Sequence, residues 1–432
     1  MDWRSLVADR CGGKDFDAPG GGYAFSAISA EERKLEKGNI AGKPETALLK
    51  LSIADPTWKM PESAMLDAMH YFGTCPDATR YTDNAGIRLQ RGKGTDPVST
   101  HQEIVKALTT QFPGLPAGFN PDWVQYSPGS IKRLLAEYVP TTFFQKERGD
   151  LLVFPTPGYP VIRSPMNNQG IEIQELPMVL TPKGWRIPLD KISTGKGRPI
   201  FLYFNNPHNP TGSVYAEEEL TELVEWAIAN DVKLIVDEAY ILLVYTRIAE
   251  SILSVPGWEK CALVLQSVSK GWNATGLRFG WVMADPVAIA ALRKVMDVKD
   301  SGLFGPSIAA GLACLRNFQW TNETWERYRA LHQILAQGLV ESGFGWGMPE
   351  AGLCQFTMAP RSADGRVFSR LVECVQWFRE DLRISLMHYQ VEGRWYLRWA
   401  VTIKPVPECG LRTEEAVLAE VVRRLREVDF TF

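Results

Sequence analysis

From about residue 120 to residue 300 the chain alternates short apolar runs with amphipathic stretches, and that texture restricts it to one broad architecture. WVQYS (123–127), LLVF (151–154), IFLYF (200–204), KLIVD (233–237), LVLQSV (263–268) and FGWVMA (279–284) read as strands. Several are nearly continuous in apolar residues, as strands covered on both faces require. Between the third and fourth runs, Leu220, Leu223, Val224, Ala227 and Ile228 recur at helical spacing. Glu217, Glu218 and Glu219 fill the first turn of the helix expected there, at about 216–230. Strand, helix and strand in that order demand a mostly parallel α/β sheet. Beyond about 310 the texture shifts to long amphipathic helices and a late strand pair around 383–401, which predicts a smaller α+β domain. The expected boundaries are 1–70 for an N-terminal arm with part of the small domain, 71–309 for the large domain and 310–432 for the small C-terminal domain. The first 25 residues or so, with CGGK and PGGGY, read as an irregular arm.

Composition excludes several other classes. Of 432 residues, 45% are apolar and 22% charged, as in ordinary soluble globular chains. Lys and Arg number 47 against 50 Asp and Glu, for a net charge of −3. Such a balance gives no surplus of cations to neutralise phosphates, so a nucleic-acid partner is not expected. No apolar stretch of about 20 residues is present, so no membrane partner is expected either. The opening MDWRSLVADRCGGKDFD carries early acids and lacks the apolar centre of a secretory signal, which places the expected location in the cytoplasm. Seven cysteines, scattered and without a CxxC pair, suggest reduced, mostly buried thiols rather than a disulfide framework or a metal centre.

In a parallel sheet, ligands bind beyond the C-terminal ends of the strands, so the residues that follow each run carry the functional reading. SPGSIKRLL follows the first run, PTPGYP the second, NNPHNPTG the third, EAY the fourth and SKGWNATGLRFGW the fifth. NPTG, then Asp-x-x-Tyr, then Ser-x-Ser-Lys with Arg eight residues later resembles the class I/II aminotransferases of the fold-type I pyridoxal-phosphate superfamily. The likeness covers roughly residues 45–400. It implies an α/β fold-type I transferase: a large domain on a mostly parallel seven-stranded sheet flanked by helices, plus a smaller α+β domain. It also implies pyridoxal 5′-phosphate as cofactor, no metal, a homodimer with shared active sites, and amino-acid and 2-oxo-acid substrates.

The resemblance assigns roles residue by residue. Lys270 would form the imine with the cofactor aldehyde and then shuttle the substrate's α-proton. Asp237, following the apolar run LIV, would be semi-buried and held ionised by a protonated ring nitrogen. Tyr240 and Asn209 would bond the cofactor's 3-hydroxyl oxygen; Asn209 lies 28 residues before Asp237, as in the family. The phosphate would take backbone N–H groups from Gly129-Ser130-Ile131 at a helix start, the Ser267 hydroxyl and the Arg278 cation. Tyr81, in RYTDNAG, would reach the phosphate of the neighbouring subunit, and Tyr159, in PGYP, would stack on the ring. Arg398 in WYLRWAV is the choice for the substrate α-carboxylate, with Arg394 its competitor. Among the five histidines, His208 beside Asn209 is expected to be a solvated turn residue.

Two departures fall on the substrate side. Ala54 in SIADPTW stands where the family usually has glycine, and it would crowd the carboxylate slightly. The family's Pro-Gly-x-x-Phe-Gly stretch before the C-terminal arginine is replaced by SLMHYQVEGRW. The runs SILSVPGWEK and SVSKGWNATGLRFGW, with the later GLACL, look closest to LL-diaminopimelate aminotransferases, while the departures point to a specialised biosynthetic substrate. A different pyridoxal-phosphate reaction (elimination, replacement, decarboxylation or cyclisation) would use the same cofactor residues. A gene regulator would need a basic helix-turn-helix module ahead of the fold, for which the first 45 residues are too few and not basic enough.

Overall fold

The computed structural model describes residues 24–89, 98–112, 115–116, 118–194, 197–246, 250–345 and 347–432. The irregular arm expected at the N-terminus lies, up to residue 23, outside the described residues. All six apolar runs form strands, and a seventh joins them. These are β1 (Val124–Pro128), β2 (Leu151–Thr156), β3 (Glu172–Pro177), β4 (Ile200–Asn205), β5 (Val232–Asp237), β6 (Ala262–Ser267) and β7 (Phe279–Met283). They make one sheet in the order β1-β7-β6-β5-β4-β2-β3. Neighbours from β3 through β6 run parallel, and β7 is antiparallel to both β6 and β1. β3 carries Glu172, Gln174 and Glu175 and lies at the sheet edge, half in water, so it shows no apolar run.

The central strands are buried on both faces, which explains their unbroken apolar character. The helix Glu217–Ala229 turns Leu220, Leu223, Val224 and Ala227 inward, while Ile228, expected on the same face, is 43% exposed just before the helix ends. In register, Asp237 lies opposite Asn205 of β4 and Leu265 of β6. β4 and β5 therefore end level, β6 runs two residues further to Ser267, and the loops of all three leave from one edge.

The chain forms two compact units. The larger comprises Trp58–Arg327 and Glu350–Gly352, and the smaller the rest. The changeovers fall at 57/58 and inside the long helix Gln319–Glu341, where the sequence reading placed them at 70/71 and 309/310. Packing is the reason. The helix Glu62–Thr74 lies against the helix Gly305–Arg316, with Phe72 edge-on to Phe304 and Asp67 paired with Arg316. A Cβ on Gly305 would come within 2.5 Å of the Tyr71 ring. Both helices thus belong to the larger unit.

In the smaller unit, β8 (Cys354–Met358), β9 (Met387–Val391) and β10 (Arg394–Ala400) form an antiparallel sheet in the order β8-β10-β9. Phe344, Phe378, Trp399 and Phe430 pack edge-to-face and stacked beside it. The six described cysteines are free, and all but Cys75 are buried. No described helix is long and apolar enough to cross a membrane.

Candidate active site

β5 delivers Asp237 to the C-terminal edge of the sheet, 3% exposed. Its Oδ1 accepts the Ala239 amide at 3.0 Å, and its Oδ2 accepts the Tyr203 hydroxyl at 3.2 Å. The Tyr203 oxygen in turn accepts Nδ2 of Asn205 at 3.2 Å. Burial pushes the Asp237 carboxyl up to about 6, although the Ala239 amide, the Tyr203 hydroxyl and the Lys270 ammonium pull it down. A second acid follows immediately. Glu238, also buried, accepts Ser251 Oγ, the Ile252 amide and Gln266 Nε2, and burial pushes it up to about 7.

Lys270 stands in the turn after β6, half-buried, with Nζ 5.9 Å from the centroid of the Tyr240 ring. Tyr240 is buried three residues beyond Asp237, in the turn that leaves β5. Adjacent strand ends therefore bring Lys270 to the Asp237–Tyr240 turn.

After β1 comes Gly129, at φ +94°, and Ser130, at φ +63°, opens a helix that widens to a π turn over Leu134–Tyr138 and ends at Phe143. Its first amides, with the buried Ser130 and Ile131, present the positive end of the helix dipole to this edge of the sheet. Ser130 Oγ lies 3.3 Å from Ser269 Oγ, and the Ser269 amide donates to Ser267 Oγ at 3.3 Å. Three hydroxyls from two strand ends thus share one place. The exposed Arg278 joins this turn: its guanidinium donates to Gly129 O at 2.6 Å and to Thr275 O at 2.9 Å, and its carbonyl accepts the Gly129 amide. At Gly280 a Cβ would sit 2.9 Å from Gln266 O and 3.0 Å from Ser130 Oγ, so only glycine leaves this cradle its shape.

The loop after β4 is fastened to the same edge: the Asn206 amide donates to Asp237 O, and Asn206 Oδ1 accepts the Tyr215 amide. It carries Asn209, half-buried, between cis Asn206–Pro207 and cis Asn209–Pro210 peptides. The expectation for His208 needs correction. The residue is buried, not solvated; its Nδ1 meets Thr211 Oγ1 at 2.8 Å, and burial holds its pKa down to about 3, so the ring is neutral. The loop folds back on itself, with His208 N bonded to Ser213 O and Gly212 N to His208 O, and this encloses the imidazole. Tyr159, after β2, is half-buried and packs against the core cluster that holds Tyr203 and Phe154. Tyr81 is 87% exposed, beside Thr82 and Asp83, which bond the Gly302–Leu303 segment.

In the smaller unit, Arg398 and Arg394 part company. Arg398 sits mid-strand in β10, opposite Phe356 and Met387, 2% exposed, and its Nη2 donates to Ser52 O at 2.5 Å. Arg394 opens the strand beside the Gly393 turn and faces solvent. Ala54, half-buried, lies two residues beyond Ser52.

Ser269 was legible in the Ser-x-Ser-Lys string, yet the sequence reading used only its first serine. Tyr203, Glu238 and Gly280 sit inside or beside apolar strand runs, and nothing in one dimension marks them. Among the described residues no group of three or more His, Cys, Asp or Glu side chains could hold a metal.

Residues 90–390 match the family model of class I and II aminotransferases. The chain is 28% identical to an LL-diaminopimelate aminotransferase of Methanococcus maripaludis over 99% of both chains. To the enzyme of that name from Methanocaldococcus jannaschii it is 29% identical, again over 99% of both. The fold matches a Thermus thermophilus aspartate aminotransferase (a single mutant) at TM-score 0.77 and 19% identity, covering 98% of this chain and 99% of that one. Sequence and fold agree over the full length, and the chain belongs to the class I and II aminotransferases, enzymes that move an amino group between an amino acid and a 2-oxo acid.

Proposed function

We propose that this aminotransferase works with pyridoxal 5′-phosphate seated over the ends of β5 and β6, and that Arg398 receives the substrate's α-carboxylate. The observation that carries the reading is the Asp237 carboxyl, buried at the C-terminal edge of the sheet and pushed by that burial up to about 6 although four groups favour its charge. A protonated ring nitrogen beside it would add a positive charge directly against the carboxylate and hold it ionised. The other end fits as well: the Ser130, Ser267 and Ser269 hydroxyls, the helix start and Arg278 suit a phosphate, and Gly129 and Gly280 keep the space open.

When bound, the cofactor supplies an aldehyde that carries the amino group and a ring that accepts electrons. The chain's residues do the rest. Lys270 Nζ anchors the cofactor, then takes the proton from the substrate's α-carbon and returns it elsewhere. Asp237 holds the ring nitrogen's proton. Tyr240 and Asn209 bond the 3-oxygen, and Tyr159 covers the ring face. Arg398, fixed by Ser52 O, offers a guanidinium fork to the carboxylate. Tyr81 is given to the neighbouring subunit's phosphate in a homodimer. The support is its exposure, together with an apolar surface of Met65, Leu66, Met69, Phe72 and Phe304 close by in the sequence and in packing. Free buried thiols suit a reducing cytoplasm.

The donor we favour is a specialised biosynthetic amino acid, with LL-diaminopimelate, named for the two full-length relatives, as the reference compound. Absorbance spectra of the loaded protein during addition of a panel of amino acids test the reading. A true donor shifts the visible band to the near-ultraviolet band of the aminated cofactor, and a 2-oxo acid restores it. Released ammonia without that reversible shift would refute transamination.

A further inference from the structure

We propose that Tyr203 is a positioning residue for the cofactor's ring nitrogen: it holds Asp237 in one orientation and supports its negative charge. The inference rests on the reading above, in which Asp237 meets that nitrogen.

The register puts Tyr203 and Asn205 of β4 on the same sheet face as Ile235 and Asp237 of β5, since Tyr203 pairs with Ile235 and Asn205 with Asp237. Tyr203 is 1% exposed, so its hydroxyl must find a partner inside the protein. That partner is Asp237 Oδ2. The direction of the bond is fixed from both sides. Asn205 Nδ2 donates to the phenol oxygen, which leaves the phenol's hydrogen for the carboxylate. Burial and the neighbouring Asp237 charge raise the Tyr203 pKa well above its ordinary value, so the hydroxyl stays a donor. Phe154 lies parallel to the ring at 5.9 Å and fixes its tilt. With the Ala239 amide on Oδ1 and Tyr203 on Oδ2, the carboxylate cannot rotate without breaking a bond. What remains of its acceptor capacity points in set directions. The chain Asn205 to Tyr203 to Asp237 also polarises along its length.

The groups facing this carboxyl are Tyr203 and Asn205 on β4, Glu238 and the Ala239 amide next in the chain, and Lys270 after β6, while Tyr159 faces Tyr203. Of these, Tyr203 donates to Asp237 Oδ2 through a hydroxyl that a single-atom change removes.

The test uses the full-length protein, freed of cofactor and then reloaded. In the cofactor-free protein, carbon NMR of the Asp237 carboxyl, assigned with Asp237→Asn, follows its titration. Tyr203→Phe should bind the Asp237 proton about tenfold more tightly, a shift expected from losing one hydrogen bond to a charge. Pyridoxal phosphate should then bind about tenfold more weakly, while an analogue with carbon in place of the ring nitrogen should bind as it does to wild type. Should Tyr203→Phe fail to fold, 3-fluorotyrosine at position 203, a stronger donor of the same shape, should move the titration the other way. An unchanged titration overturns the proposal, as does equal weakening of both cofactors, which would reduce Tyr203 to packing. Asp237→Asn separates the two levels. If it too treats the cofactors alike, the ring-nitrogen reading has failed and takes the proposal with it; if it discriminates and Tyr203→Phe does not, only the proposal has failed.

Discussion

In the proposed mechanism Lys270 and Asp237 carry the heaviest chemical demands, and each makes a separate prediction. Lys270 stands at a strand end, half-buried, so Lys270→Ala should keep the fold and lose turnover. Borohydride reduction of the loaded protein should fix the cofactor to the 261–278 segment; recovery on another lysine would remove the assignment. Asp237→Asn should lower turnover by about 10²-fold or more, because a charge partner in a dry site is worth several kcal/mol. The same variant has an opposite effect on the cofactor-free protein. Burial raises the Asp237 pKa from 3.8 to about 6, so its contribution to stability is intact at acid pH and is lost as pH rises through that window. Removing the acid should therefore stabilise the cofactor-free protein at pH 8, by on the order of 3 kcal/mol at most, and hardly at all near pH 4. Thermal melts of both proteins at the two pH values measure this, and an equal difference at both would contradict the buried-charge account.

The elements that matter most are the strand ends and the turns between them. β5 and β6 bring Asp237 and Lys270 to one edge, and the β1 turn meets the β7 backbone closely enough that residue 280 has no room for a side chain. Gly280→Ala should press on Gln266 O and Ser130 Oγ and shift the helix start that would receive the phosphate. Cofactor affinity should fall by about tenfold or more, as equilibrium dialysis would read, since several hydrogen bonds to one anion depend on that geometry. Wild-type affinity in Gly280→Ala would show that the cradle tolerates a methyl group or lies elsewhere.

For the molecule as a whole, the question is whether one chain holds a complete site. Tyr81 projects 87% exposed from the larger unit, and Met69 is 71% exposed on the helix Glu62–Thr74 beside Phe72 and Phe304. Surfaces of that kind are commonly covered by a second subunit. If Tyr81 serves the neighbour's phosphate, mixed dimers of Tyr81→Ala and Lys270→Ala subunits should recover up to one working site each, though either variant alone is feeble. Activity measured after verified subunit exchange decides it, and no recovery, or a monomer by sedimentation, would defeat the shared site.

The sequence by itself determined the sheet's central strands, because continuous apolar runs such as KLIVD have only one economical place, between two other layers. It also determined the chemistry expected at their ends, since Asp237, Tyr240, Asn209 and Lys270 occur in strings whose order few folds could share. Tertiary structure decided what those strings could not. It buried Arg398 and left Arg394 in water, a matter of position along β10 and not of residue type. It enclosed His208 because a loop folded back on itself. It also set Tyr203 against Asp237, 34 residues apart, through the register of two parallel strands. Register is a property of the assembled sheet: each strand's pattern says which face a side chain takes, and only the pairing says which side chain it meets.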